Sequence, residues 1–293
     1  MNASNHHTAL ADLAAGPLNQ AGGNVVNPAL WVVGGTFLLG IAWALVAASV
    51  RRMGNRCDRQ VGRVDPSHHR PVDLIGSGWI VGIYLWLSLA QIVAAASLGE
   101  ERTIGVADLW VSIAFQCVMA GMVMLAMTPR VSPIDWLGLR RLQWRELVLF
   151  APLAVVAMWM LFAILQAFGY TGWLESLEFD TMQESVRALQ NQNDISFRIW
   201  MGFSAIVVAP ICEEVVFRGY LYGVAKRYGG PFAAAISSAL IFSAAHGSVA
   251  ALLPLAIFGL LLAWLYERSG SIWPPVAAHA FFNTATVLVL MSQ

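Results

Sequence analysis

The chain reads as an all-α polytopic membrane protein with about eight transmembrane helices. Three observations lead there. Of its 293 residues 58% are hydrophobic and only 12% charged, where soluble domains carry about 25%; the mean hydropathy is +0.64. Apolar runs able to cross about 30 Å of hydrocarbon recur near 29–50, 74–98, 109–127, 147–169, 199–222, 231–246, 250–266 and 272–291, the sixth and seventh being short. Finally, placing the connections 51–73, 128–146, 223–230 and 267–271 on one side gathers 13 of the 17 basic residues there. By the positive-inside rule that side is cytoplasmic, which leaves both termini outside.

Residues 1–28 are polar and rich in Ala and Gly, without the basic and apolar regions of a cleavable signal, and are expected to be a disordered external tail. His6 and His7 within it are a poor basis for a metal site. Residues 29–127 supply the first three spans, and 128–198 hold an interfacial segment, the fourth span and an external loop. Within these, 132–146 ("SPIDWLGLRRLQWRE") is expected as an amphipathic helix on the cytoplasmic interface. The polar stretch 171–198, with Leu174, Leu177 and Phe179 at roughly helical spacing, is either a solvated linker or a gate. A net charge of zero and scattered basic residues give nucleic acid no footprint. Cys57, Cys117 and Cys212 form no CxxC pair, so neither a disulfide framework nor a cysteine zinc site is expected, and Cys212 reads as packing.

Residues 199–291 are where the chemistry concentrates. Strongly polar groups inside the spans are few before this point, mainly Gln91, Gln116 and Gln166; here stand Glu213, Glu214, Arg218, His246, His279 and Asn283. Ionisable groups inside a membrane face a bundle interior or a wet cavity, and they indicate function by default. Successive helical residues are about 100° apart and i,i+4 pairs share a face. Glu214 and Arg218 are therefore expected as a structural ion pair, which leaves Glu213 available for chemistry. Pro210 should bend the helix just before it. Phe217 and Phe242 read as packing, and Gly219 and Gly223 as sites of close helix approach.

A spare carboxylate, two histidines and an amide are the parts that amide hydrolysis requires: a base for water and donors for the tetrahedral oxyanion. Glu213 suits the base, His246 can share its water, and His279 with Asn283 can hold the oxyanion. Alternatively Glu213, His246 and His279 could ligate zinc, which lowers the pKa of bound water to about 7. No HExxH motif marks such a metal.

The ordered set EExxxR (Glu213, Glu214, Arg218), FxxxH (Phe242, His246) and HxxxN (His279, Asn283) resembles the CAAX-protease and bacteriocin-processing (CPBP, Abi) family of intramembrane proteases, whose eukaryotic relatives are the type II CAAX prenyl endopeptidases. The likeness spans roughly 199–291, with "DWLGLRR" a fainter echo upstream. It implies an eight-helix fold around a conical catalytic cavity. It also implies Glu213 and His246 as the water-activating pair, His279 and Asn283 as the oxyanion donors, and a membrane-associated protein or peptide as substrate. The family has been described both as metalloproteases and as metal-independent glutamate proteases, so zinc stays open with the glutamate reading preferred. A bacterial cytoplasmic membrane is the implied location, where a prenylated substrate is not expected. Two other classes compete: a non-enzymatic scaffold or bacteriocin-immunity protein, and a proton-coupled transporter, against which the lack of a visible inverted repeat counts.

Overall fold

The computed structural model describes residues 28–53, 62–98, 104–141, 144–182, 184–191 and 194–292, and every regular element among them is helical. In chain order these are α1 (Pro28–Met53), α2 (Val72–Leu98), α3 (Val106–Met127), α4 (Pro133–Trp136), α5 (Trp144–Ala167), α6 (Tyr170–Ser176), α7 (Glu184–Asn191), α8 (Ile195–Gly229), α9 (Pro231–Ala244), α10 (Val249–Ser269) and α11 (Trp273–Met291). The tail with His6 and His7 lies outside the described residues, as do Arg56, Cys57 and Arg59 of the first basic loop. Among the described residues seven helices, α1, α2, α3, α5, α8, α10 and α11, are long and apolar enough to cross a membrane. The chain is an integral membrane protein.

The expected span at 231–246 is the one that falls short. At about 1.5 Å per residue the 14 residues of α9 rise only about 21 Å. The helix ends because Gly247 turns to φ +64°, with its N–H on Ala244 O and that of His246 on Ser243 O. What α9 lacks in length it gains in burial. It packs between α10 and α1, and its inward residues are mostly Ala and Ser. A Cβ on Gly259 of α10 would stand 2.9 Å from Ala239 Cα, so α9 and α10 meet backbone to backbone.

The helix α8 is the central strut, touching α3, α9, α10 and α11. Asp194 caps its first turn by accepting from Ser196 N, and it runs for 35 residues, longer than the span expected at 199–222. Two π-helical segments interrupt it, Ser204–Val208 and Val215–Tyr222. Between them the short α-helical turn Ala209–Glu214 carries Pro210 and both glutamates. Wide turns of this kind are uncommon and frequent at functional sites.

Two connections differ from expectation. Residues 132–146 do not form one interfacial helix: α4 lasts four residues, and Gly138 turns the chain at φ +63°. Trp136 and Leu137 are buried, against Gly219 of α8. Leu137 O accepts from Ile272 N at 2.9 Å, and Leu139 O accepts from Trp273 Nε1 at 3.1 Å. Burial against protein, together with main-chain hydrogen bonds, outweighs lying at the lipid surface. Gly219 and Gly223 accordingly admit this strap and His69, not another helix. The stretch expected to be external folds back as α6 and α7, burying Leu174 and Leu189, packing α7 on α11 and setting Tyr170 Oη 3.3 Å from Ala250 O.

The four connections assigned by charge to one side meet at one end of the bundle. Lys226 Nζ reaches Val64 O at 2.7 Å and Glu267 Oε1 at 2.6 Å, Arg130 pairs with Asp73, and Arg141 Nη1 donates to Arg63 O at 3.3 Å. His69 is buried there, its Nδ1 3.9 Å from Asp73 Oδ2 and its ring edge-on to Tyr220. Burial pushes the His69 imidazole down to about 4 against the pull of Asp73, with His68, Arg130 and Arg227 also opposing its charge. The unfolded chain therefore binds the extra proton first, so this stability is present above pH 6.5 and is lost as pH falls towards 4. The loss should approach about 3 kcal/mol. Thermal unfolding in detergent from pH 8 to 4 should show it, and His69→Gln should remove that acid-side slope; an unchanged slope would refute the assignment.

Candidate active site

Glu214 and Arg218 are both fully buried and in contact one turn apart. Arg218 Nη1 donates to Glu214 Oε1 at 3.2 Å, and Nε stands 3.2 Å from Oε2. The guanidinium also donates from Nη2 to Gly259 O of α10 at 3.2 Å and lies 4.4 Å over the Phe242 ring of α9. Glu214 has a second partner that helical phase does not reveal: His279 Nδ1 of α11, at 3.0 Å from Oε1. One carboxylate, one guanidinium and one imidazole thus tie α8, α9, α10 and α11 together without reaching solvent.

Glu213, one position back, faces elsewhere. Its side chain is half-buried, and its Oε2 is enclosed without a hydrogen-bond partner. The carboxylate bears electrostatically on Tyr84 of α2, on Cys212 and on Arg218. A buried polar atom left unsatisfied costs about 1–3 kcal/mol, more when charged, and calls for an explanation such as a catalytic role or an intended water.

His246 lies just past the end of α9. Because its N–H turns to Ser243 O, Phe242 O loses its usual helical donor, and His246 Nδ1 takes that place at 2.8 Å. A carbonyl only accepts, so Nδ1 carries the proton and Nε2 presents a lone pair in the neutral ring. For His279 the bond to Glu214 likewise makes Nδ1 the donor; its Nε2 can donate when the ring carries both protons. Asn283 Nδ2 donates to Ala205 O at 2.7 Å. That carbonyl is available for a local reason. In the i→i−5 register of the π segment 204–208, its donor would be the nitrogen of Pro210, which has no hydrogen. One N–H of the Asn283 amide remains.

Phe242 is the hub of the arrangement, its ring meeting Phe217 at 5.3 Å, His246 at 4.8 Å and His279 at 5.8 Å. No hydrogen bond or ion pair joins Glu213 to His246 or His279 among the described residues. Tyr84 is the member that inspection of the sequence missed. A lone tyrosine in an early apolar span carries no signal, although it packs on Phe217 at 5.2 Å. As for metal, no three His, Cys, Asp or Glu side chains among the described residues gather closely enough to hold an ion. Glu213, His246 and His279, the candidate zinc set, are not gathered into such a group, although both imidazoles bond through Nδ1 and keep Nε2 for another partner.

Residues 195–285 match the family model of the type II CAAX prenyl endopeptidase Rce1-like proteins. All three polar motifs, from Glu213 to Asn283, lie inside that stretch. Among curated proteins, "Putative membrane peptidase YdiL" of Bacillus subtilis (strain 168) is 31% identical over 121 residues, 41% of this chain and 50% of that protein. The chain thus spans about half the length of the curated relative it matches. No solved structure matches it. The matched stretch runs from the start of α8 into α11, so the Glu214–Arg218–His279 cluster is internal to it, while Tyr84 comes from outside.

Proposed function

We propose that this protein is an intramembrane endopeptidase that hydrolyses a peptide bond in a membrane-associated protein or peptide. The observation that carries this reading is the division of labour between adjacent glutamates: Glu214 is bound by Arg218 and His279, while Glu213 keeps an enclosed oxygen without a partner. Glu213 takes a proton from water, and the Nε2 lone pair of His246 helps to orient it. The hydroxide so formed adds to the scissile carbonyl. Nε2–H of a doubly protonated His279 and the remaining amide N–H of Asn283 hold the oxyanion. The proton on Glu213 then passes to the leaving amine as the C–N bond breaks, so water ends divided between the new carboxylate and the new amine. Catalytic contacts in unliganded sites are commonly loose and tighten with substrate, consistent with the lack of a hydrogen bond from Glu213 to either histidine among the described residues. We place the basic end of the bundle in the cytoplasm and both termini outside the inner membrane.

Purified full-length protein in proteoliposomes, offered membrane-anchored peptides in ¹⁸O-labelled water, should release two fragments with label in the new carboxylate. A strong zinc chelator should leave the rate unchanged. No cleavage of any anchored peptide would overturn the protease reading, and chelator inhibition reversed by zinc would overturn direct activation of water by Glu213.

A further inference from the structure

At the basic end of the bundle, away from the site above, the first turn of α5 and the last turn of α10 leave a cleft of about 490 Å³ lined by Trp144, Arg145, Glu146, Leu149, Phe150 and Arg268. The Arg268 guanidinium lies 5.2 Å from the Phe150 ring and 5.5 Å from the Trp264 ring, and its Nε stands 3.6 Å from Glu146 Oε1. The aromatic faces and the carboxylate hold the arginine in place. Its side chain nevertheless stays 51% exposed, and a guanidinium has more N–H donors than one ion pair can occupy. Arg145 is exposed beside it, as are Arg140 and Arg141 on the preceding strap. The local charge is therefore positive, with Glu146 already drawn to Arg268.

The apolar surface below the cleft is as informative as the charge above it. One and two turns further into the membrane from Leu149, Leu153 and Val156 are exposed; on α10, Leu260 and Ile257 continue the outward line from Trp264. The edge contact of Phe150 with Trp264, at 5.4 Å, sets the two stripes side by side. Guanidinium groups at headgroup height over a paired apolar track match a molecule with a phosphate at one end and acyl chains at the other. Basic pockets between transmembrane helices on the cytoplasmic side bind anionic headgroups in this way.

We propose that this cleft is a binding site for an anionic phospholipid, its phosphate on Arg145 and Arg268 and its chains along the outer faces of α5 and α10. Native mass spectrometry of the full chain in mild detergent tests it, using phosphatidylglycerol, phosphatidylcholine of the same acyl chains, and inorganic phosphate. Phosphatidylglycerol should bind about tenfold or more tightly than phosphatidylcholine, and less so at high salt. Arg145→Gln/Arg268→Gln should weaken it about 25-fold, at about fivefold per arginine, whereas Arg227→Gln, exposed on the same end outside the cleft, should change it less than about twofold. Equal binding of the two lipids, an equal loss in Arg227→Gln, or displacement by millimolar inorganic phosphate would each overturn the proposal, the last by marking a free-anion site. The lipid comparison uses the unaltered chain, so it decides even where the double variant fails to fold.

Discussion

Glu213→Gln should abolish peptide cleavage while leaving the fold intact. Removing a general base costs about 10²–10⁴-fold in rate, and the amide has nearly the same shape as the carboxylate. The fold should hold because the enclosed Oε2 has no protein partner to lose. Replacing an unsatisfied carboxylate by a neutral amide removes a penalty of burial, so the unfolding midpoint should stay level or rise. Activity and stability moving in opposite directions is the mark of a functional group held at a structural cost. Cleavage that survives Glu213→Gln would reject Glu213 as the base, and a large drop in stability would recast it as a framework residue.

Arg218→Met should have the opposite character, with a severe loss of stability. The substitution leaves Glu214 fully buried with His279 as its one remaining partner, and it strips the Gly259 carbonyl and the Phe242 ring of their contacts. Breaking a buried pair by removing one member costs about 3–5 kcal/mol, and here Glu214 keeps only the His279 contact at Oε1 while Oε2 loses its counter-charge. Replacing both members together is far milder, so Glu214→Leu/Arg218→Met should recover much of the unfolding midpoint. It should not recover activity, since His279 then has no carboxylate to fix its ring. A single Arg218→Met variant with the original midpoint would show that the pair does not hold the bundle together.

The spare carboxylate and its neighbour separate in the sequence because one periodicity governs both: at 3.6 residues per turn, Glu214 and Arg218 stack and Glu213 cannot join them. The concentration of ionisable groups in the last third is equally plain, since charge is costly in hydrocarbon wherever it falls. His279 is different. Its bond to Glu214 crosses 65 positions, and nothing in HxxxN says which of two adjacent glutamates its imidazole meets. Asn283 is a second case. Pro210 is visible in the sequence, but only the i→i−5 register of α8 makes Ala205 the carbonyl that Asn283 satisfies.

The fold divides along the same line. Hydropathy, charge asymmetry and the i,i+4 spacing are local quantities, so the chain by itself determines a polytopic helical protein, its basic end and the companionship of Glu214 with Arg218. The shortness of α9 and the glycine that ends it are also local, but composition does not foresee that Trp136 and Leu137 dock beneath Gly219, or that Tyr84 comes near Glu213. Those outcomes depend on which surfaces offer closer packing and main-chain partners than lipid does, and on where a neighbouring helix leaves a carbonyl unmatched. Such quantities exist only once the helices are assembled, which is why the tertiary structure decided them.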